Sequence, residues 1–307
     1  MWVMLAMIVG NGAGGMYGML MPLYITELGA DIVQVGLVFT VSSLGAMVLQ
    51  IFGGWFSDSV GRLKTIAIGS VLGVISYIPL LLAPTWQWMV LALALAQLPS
   101  ALVGPSFGAF IAENSTDETR GRVYGITDTL YQIVGVVGPP LGGLLAGAYG
   151  FRAMLLVAGL LYTVAAGLRI WMATTLTPDA DRRSEPMNFG RFRQSMGTLF
   201  AMVFGGGVVT WIFLTDGVRD IAFRLSGELQ PIYLEQIGGI QLAQIGVLGA
   251  IFSGSMMITP VLSGWMSDRY GERVPLSLGF LMLFGGFMVF LQVGDFFGFA
   301  TAWVISG

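Results

Sequence analysis

The sequence predicts an all-α polytopic membrane protein, a helix bundle built of two halves that repeat in parallel, and three observations carry that prediction. Of 307 residues, 55% are hydrophobic and only 10% charged, where an ordinary soluble domain carries about 25% charged residues. Nine apolar stretches long enough to cross a bilayer, and the start of a tenth, follow one another along the chain. Lipid offers a backbone amide no hydrogen-bond partner, so each such stretch of about 20 residues is a helix. Third, short motifs in the first quarter return about 210 residues downstream.

Hydropathy with Gly, Pro and charge as punctuation places the spans near 1–27, 32–56, 63–83, 86–112, 122–148, 151–173, 208–236, 241–266 and 274–294, with a tenth starting at 296. The first stretch lacks the basic start and small-residue cleavage site of a signal peptide, and further spans follow it, so it is read as the first membrane helix. The connectors 57–64, 113–122, 174–195 and 267–273 hold Arg62, Lys64, Arg120, Arg122, Arg182, Arg183, Arg191, Arg193, Arg269 and Arg273, ten of the 14 Lys and Arg, whereas the alternate connectors hold only Arg152. The positive-inside rule then makes the charged loops cytoplasmic and the protein a multi-pass inner (plasma) membrane protein. Arg169 lies near a cytoplasmic helix end, where its side chain is expected to snorkel.

The polar stretch 174–195, with Pro178, Asp179, Asp181, Arg182, Arg183, Glu185 and Pro186, reads as a linker. It divides the chain into a six-helix half over 1–173, a cytoplasmic linker and interfacial segment over 174–207, and a partial second half over 208–307. The repeat supports the division. Gly54-Trp55-Phe56-Ser57-Asp58-Ser59-Val60-Gly61 returns as Gly264-Trp265-Met266-Ser267-Asp268-Arg269-Tyr270-Gly271, Pro22-Leu23-Tyr24 as Pro231-Ile232-Tyr233, and Gly36 as Gly246. Six spans separate the copies, an even number, so both halves enter the membrane in the same direction. The second half stops after about three and a half helices, and a twelve-helix plan expects more; residues 1–307 alone are then not expected to transport.

Composition removes several chemistries. With no Cys and no His there are no disulfides, no thiolate or imidazole metal ligands and no Ser-His-Asp triad. No catalytic residues, metal or cofactor are expected, and no enzyme; proton chemistry would fall to carboxylates. The net charge of −3 is too small to argue for a nucleic-acid partner, and none is expected.

The repeated motif resembles the signature Gly-x-Leu-Ala-Asp-Arg-x-Gly-Arg between helices 2 and 3 of the major facilitator superfamily. It stands here as Gly54, Asp58, Gly61 and Arg62, with Phe56, Ser57 and Ser59 as departures, and again as Gly264, Asp268, Gly271 and Arg273. Small Gly lets helices approach, and an Asp at a helix end can face the electropositive N-terminus of a neighbour, so the pair reads as a conformational latch; the plainer alternative is two short polar turns. Glu113 lies seven residues before Arg120, the family's spacing around the loop between helices 4 and 5, which by resemblance would join Arg62 in a cytoplasmic charge network. Gly138, Pro139, Gly142 and Gly143 resemble the end of the family's antiporter motif, although close packing alone would select the same residues. Counting back from Pro105, the Arg of the family's proton-transfer motif falls on Leu93.

In the seventh span Asp216, Asp220, Arg224 and Glu228 recur every four residues, with Arg219 beside them. Charges at membrane depth seldom face lipid. The resemblance implies that helices 1, 4, 7 and 10 line a central cavity, so this stripe and Asn11, at the position matching Asp220, become candidates for substrate or coupling-ion contacts, with Asp128 in the fifth span beside them. The alternatives are a structural ion-pair ladder, or an outer loop if 196–215 were the seventh span, with Asp128 merely joining helix ends. The resemblance implies a secondary active transporter working by alternating access, as an antiporter for drugs or metabolites or a symporter for a sugar or organic ion, with H+ or Na+ as coupling ion, a small-molecule substrate, the lipid bilayer as surroundings and a monomeric state. A sensor on the same fold is the rival.

Overall fold

A computed structural model describes residues 2–175 and 189–307, so the expectations placed on Pro178 to Pro186 lie outside it. All regular structure among the described residues is helical: α1 (Trp2–Tyr17), α2 (Met21–Glu27), α3 (Ile32–Val60), α4 (Arg62–Leu82), α5 (Trp86–Glu113), α6 (Asp117–Tyr149), α7 (Phe151–Thr175), α8 (Phe189–Phe204), α9 (Val208–Gln236), α10 (Leu242–Tyr270), α11 (Arg273–Gln292) and α12 (Phe296–Ser306). The helices mostly outlast their apolar stretches, because helical hydrogen bonding continues past the hydrocarbon edge. The connector expected at 57–64 shrinks to Gly61, and that at 113–122 to residues 114–116, so Arg120 falls inside the first turns of α6.

The first span is not one helix. It bends by 45° between Tyr17 and Met21, where Gly18 and Leu20 close the turn and Pro22 starts α2. Pro is tolerated at such a start because its missing N–H would have no partner there. The buried Tyr24 hydroxyl then donates to the Leu80 carbonyl at 3.3 Å and ties α2 to α4.

The repeat extends into the backbone. Asp31 caps α3 in a reciprocal box with Gln34, and Gln241 caps α10 in the same box with Gln244. Gly29 and Gly239 have φ of +92° and +63°, Gly61 and Gly271 of +104° and +81°. These are regions that side chains with a Cβ avoid, which fixes Gly at both ends of each copy.

Burial is uneven. One core joins the α2 end of the first half to α9, α10 and α12 through Tyr24, Phe151, Ile232, Phe299 and Trp303, and a smaller one sits between α1, α4, α5 and α7 around Ile66, Phe107 and Met172. In contrast Val261, Leu262, Leu276, Leu281 and Phe284 of α10 and α11 are exposed, an apolar surface that calls for a non-aqueous neighbour. α9 runs unbroken over 208–236, and an 84° bend between Met196–Phe204 and Val208–Thr215 separates it from α8.

Candidate functional site

Arg169 is 3% exposed, so the snorkelling expected of it does not occur. Helical side chains lean back towards the N-terminus of their own helix, and on α7 that direction leads into the bundle. The guanidinium donates to the Ala6 carbonyl of α1 at 3.1 Å, to Ser70 Oγ of α4 at 3.2 Å and to the Tyr162 hydroxyl at 3.5 Å. Its Cζ lies 5.4 Å from the Phe107 ring centroid and 5.6 Å from that of Tyr162, cation–π distances that partly replace lost hydration. The space is made by glycine: a Cβ at Gly10 would strike the guanidinium, and one at Gly73 the Tyr162 ring. Among the described residues no carboxylate pairs with Arg169, and its Nε–H is buried without an acceptor.

Beside Arg169 lies a cavity of about 260 Å³ walled by α1, α4, α5, α6 and α7. Asn11 lines it and spends one amide hydrogen on the Met7 carbonyl at 2.9 Å. Tyr131 of α6 lines the same cavity. Asp128 is exposed on α6. Leu93 is buried and apolar, so α5 brings no cation here.

A second cluster sits where α3, α4 and α5 end together. Arg62 donates to Glu113 from Nε at 3.1 Å and Nη2 at 3.0 Å, pairs with Asp58, and donates from Nη1 to Ser57 Oγ at 3.1 Å. Ser106 Oγ donates to Ser57 Oγ at 2.8 Å. Ser57, a departure from the family signature, is therefore a buried bridge between α3, α4 and α5, and Ser106 had no signal in the sequence, being one of two Ser residues in an apolar helix. The Arg120 side chain lies outside the described ones. The close helix approach expected at Gly54 falls on Gly53, whose added Cβ would meet the Ala101 carbonyl, whereas Gly54 and Gly264 face open space; one residue of helix turns the contact face by about 100°.

The glycines of α6 divide between two partners. Gly138 and Gly142 abut the backbone of Gly15 and Met16 on α1, while Gly143 abuts Leu242, Ala243 and Gly246 on α10. Gly246 and Gly249 return the contact on Pro139. The closest inter-half approaches lie towards the end where α6 finishes and α10 begins; at the opposite end Gly121, Gly125 and Gly264 have nothing within 4 Å of an added Cβ.

On α9, Arg224 and Glu228 form an ion pair at 3.7 Å. Asp220 and Arg224 are exposed and do not line the cavity beside Arg169, and the side chains of Asp216 and Arg219 lie outside the described ones. The structure thus sets Asn11 and Arg169 in the wall of one cavity and joins Arg62 to Asp58 and Glu113, and it leaves the α9 stripe apart from the first cavity. Asp268 and Arg273, the counterparts of Asp58 and Arg62, are exposed and make no ion pair with a described residue.

Two helix sets joined by glycine contacts, with a cavity walled by five apolar helices, have the build of a membrane carrier. The chain belongs to the Major Facilitator Superfamily, whose family model matches residues 3–307. It is therefore an integral, multi-pass membrane protein of a transporter family. The multidrug resistance proteins MdtG of Salmonella dublin and Salmonella typhimurium are each 27% identical to it over 150 residues, 47% of this chain and 37% of theirs, so the match spans well under half of those relatives. In fold, the crystal structure of a peptide transporter in complex with sulfate matches with a TM-score of 0.73 at 14% identity, over 99% of this chain and 78% of that one. A bacterial homolog of the human lysosomal transporter Spinster, inward-facing and occupied, matches at 0.74 and 16%, over 99% and 70%. A D-xylose-proton symporter matches at 0.72 and 15%, over 99% and 77%.

Proposed function

We propose that this protein is a secondary active transporter that exports small organic molecules by alternating access, with proton antiport as the driving exchange. The observation that carries the reading is the two-sided glycine joint of α6, which holds α1 on one face and α10 on the other, while towards the opposite end a Cβ added at Gly121, Gly125 or Gly264 would meet nothing within 4 Å. Such a joint lets two bundles rock without repacking either interior. The MdtG relatives, named as multidrug resistance proteins, support export. The helix ends carrying Arg62, Arg120 and Arg273 are read as cytoplasmic in an inner membrane, which puts the loosely packed glycines Gly121, Gly125 and Gly264 on the cytoplasmic side. Besides the first cavity, an apolar chamber of about 310 Å³ lies between the halves, walled by Pro139, Phe223, Phe252, Phe287 and Trp303; it suits the apolar body of a substrate. With no His in the chain, the exchanged proton is assigned to carboxylates, Asp128 and Asp220 first, with Na+ as the rival coupling ion. The reading takes the carrier as a monomer in lipid, needing no cofactor, nucleic acid or protein partner.

The test is flux. Proteoliposomes of the full-length protein, given a pH or a sodium gradient, are screened with radiolabelled aromatic acids, amines and neutral analogues. Concentrative movement of at least one compound, collapsed by a proton ionophore and by Asp220→Asn, is the expected result. No gradient-dependent movement of any of them, with the protein shown to be folded and inserted, would sink the proposal.

A further inference from the structure

We infer that the cavity beside Arg169 is the binding site for the acidic group of an organic anion, a small aromatic or aliphatic carboxylic acid; this names the substrate class and rests on the transport reading above. The inference starts from an electrostatic imbalance. Arg169 is the single formal charge among the residues lining the cavity, it is 3% exposed, and no described carboxylate balances it. A cation taken from water into a helix bundle is tolerated when a counter-charge and hydrogen bonds replace its hydration. Ala6, Ser70 and Tyr162 supply acceptors for two of its nitrogens, and its Nε–H has none.

The rest of the wall fits an anion better than a cation. Tyr17, Tyr77, Tyr131 and Tyr162 place hydroxyl groups around the space, with Asn11 and Ser100, all able to donate to a carboxylate, whereas no lining residue carries a negative charge to receive an amine. The planar fork of Arg suits a carboxylate, which two parallel N–H groups can hold. The remaining wall, with Pro99, Val103 and Phe107, supplies an apolar face for a ring or short chain. At about 260 Å³ the space lies at the lower edge of ligand pockets, which limits the acid to roughly the size of benzoate. Glycine keeps it open: Gly14 lines it, and a Cβ added there meets nothing within 4 Å.

Binding is measured on the purified full-length protein in detergent, by thermal shift and by calorimetry, with sodium benzoate, benzamide and benzylammonium chloride as probes of one shape and three charges, and with sodium sulfate and sodium chloride as inorganic controls. Benzoate alone should stabilise the protein. Its affinity should fall at least tenfold in Arg169→Gln and fall less in Arg169→Lys. Because loss of Arg169 also removes a tie between α1, α4 and α7, Gly14→Val provides the second arm: it fills the cavity with every partner of Arg169 intact, and should cost the same tenfold without lowering the unliganded Tm. Equal binding of benzamide or benzylammonium, benzoate affinity unchanged in Gly14→Val, or an inorganic anion reproducing and pre-empting the benzoate effect would each overturn the organic-acid assignment. Equilibrium binding with no benzoate flux in proteoliposomes would instead count against the transport reading and leave this site standing.

Discussion

The segments 31–62 and 241–273 carry one motif in two settings. Both begin at a capping box, Asp31 with Gln34 and Gln241 with Gln244, and both end at a glycine with positive φ. Between those ends their surroundings diverge. In the first copy Asp58 and Arg62 are held together and tied to Glu113, while Gly36 faces open space. In the second, Asp268 and Arg273 are exposed, while Gly246 is pressed against the backbone of Pro139 and Pro140. A repeated sequence therefore fixes the backbone of each copy, and the helix packed opposite decides which of its residues bears a contact. Here α4 and α5 stand against the charged end of the first copy, and α6 against the glycine end of the second.

The contrast is broken most directly at the glycines. Gly246→Val drives a side chain into α6 backbone, which cannot yield as a side chain would, and should destabilise by about 3 kcal/mol, the upper end for overpacking. Gly36→Val should stay within about 0.5 kcal/mol, as a substitution into open space does. Thermal unfolding of the two variants in the same detergent checks this, and equal losses would show that α6 and α10 are not the joint described. The shared backbone gives a sharper second test. Gly61→Ala and Gly271→Ala each force a Cβ into a conformation that costs about 1 to 3 kcal/mol, and the two losses should match within error despite their different neighbours. A large disparity would mean that the environment, not the turn, selects these glycines.

What could be read beforehand follows the same division. The spans, the repeat and the charged loops were legible because hydropathy and short motifs live in the local sequence. The Gln241 cap was not, since Gln is a rare capping residue and Gln241 with Gln244 gives no usual start signal. Arg169 was misplaced because its distance from a helix end says nothing of which face it occupies; the signal lay in Gly10 and Gly73, whose missing side chains make its room. The register of Asp220, Arg224 and Glu228 was visible, but their neighbours depend on how α9 packs, which periodicity does not state.

The charged ends give a smaller contrast. The Arg62 side chain is 18% exposed and Glu113 34%, a half-screened pair whose loss is worth about 1 kcal/mol at most. Arg62→Gln should lower stability by about that amount and more at low salt than at high. Arg273→Gln, with no described partner to lose, should change it by less than about 0.5 kcal/mol at any salt. An equal, salt-dependent loss in both would show the second copy to be paired after all.

The smallest expected effect belongs to Asp268, and it concerns population, not stability. In this state α10 meets α6 closely at the end where α6 finishes, and Asp268 lies at the other end, exposed. Rocking that opens the joint would bring the last turns of α10 towards the first turn of α6, whose N–H groups and partial positive charge begin at Asp117. A carboxylate arriving there gains about 0.3 to 1 kcal/mol when exposed, which changes the ratio of two states by about two- to fivefold. Asp268→Asn should thus leave Tm unchanged while raising the fraction with the Asp58 end open. The chain holds no Cys, so a single reporter carries no background, and Gly125→Cys is suitable because an added Cβ there meets nothing within 4 Å. Maleimide labelling of that reporter should accelerate in the Asp268→Asn background by at most the same two- to fivefold, the full factor applying where the closed state dominates, and the same substitution at Asp58, whose carboxylate is already held by Arg62, should change it less. Identical labelling rates in all three proteins would remove the latch from the second copy and leave Asp268 as the polar end of a turn.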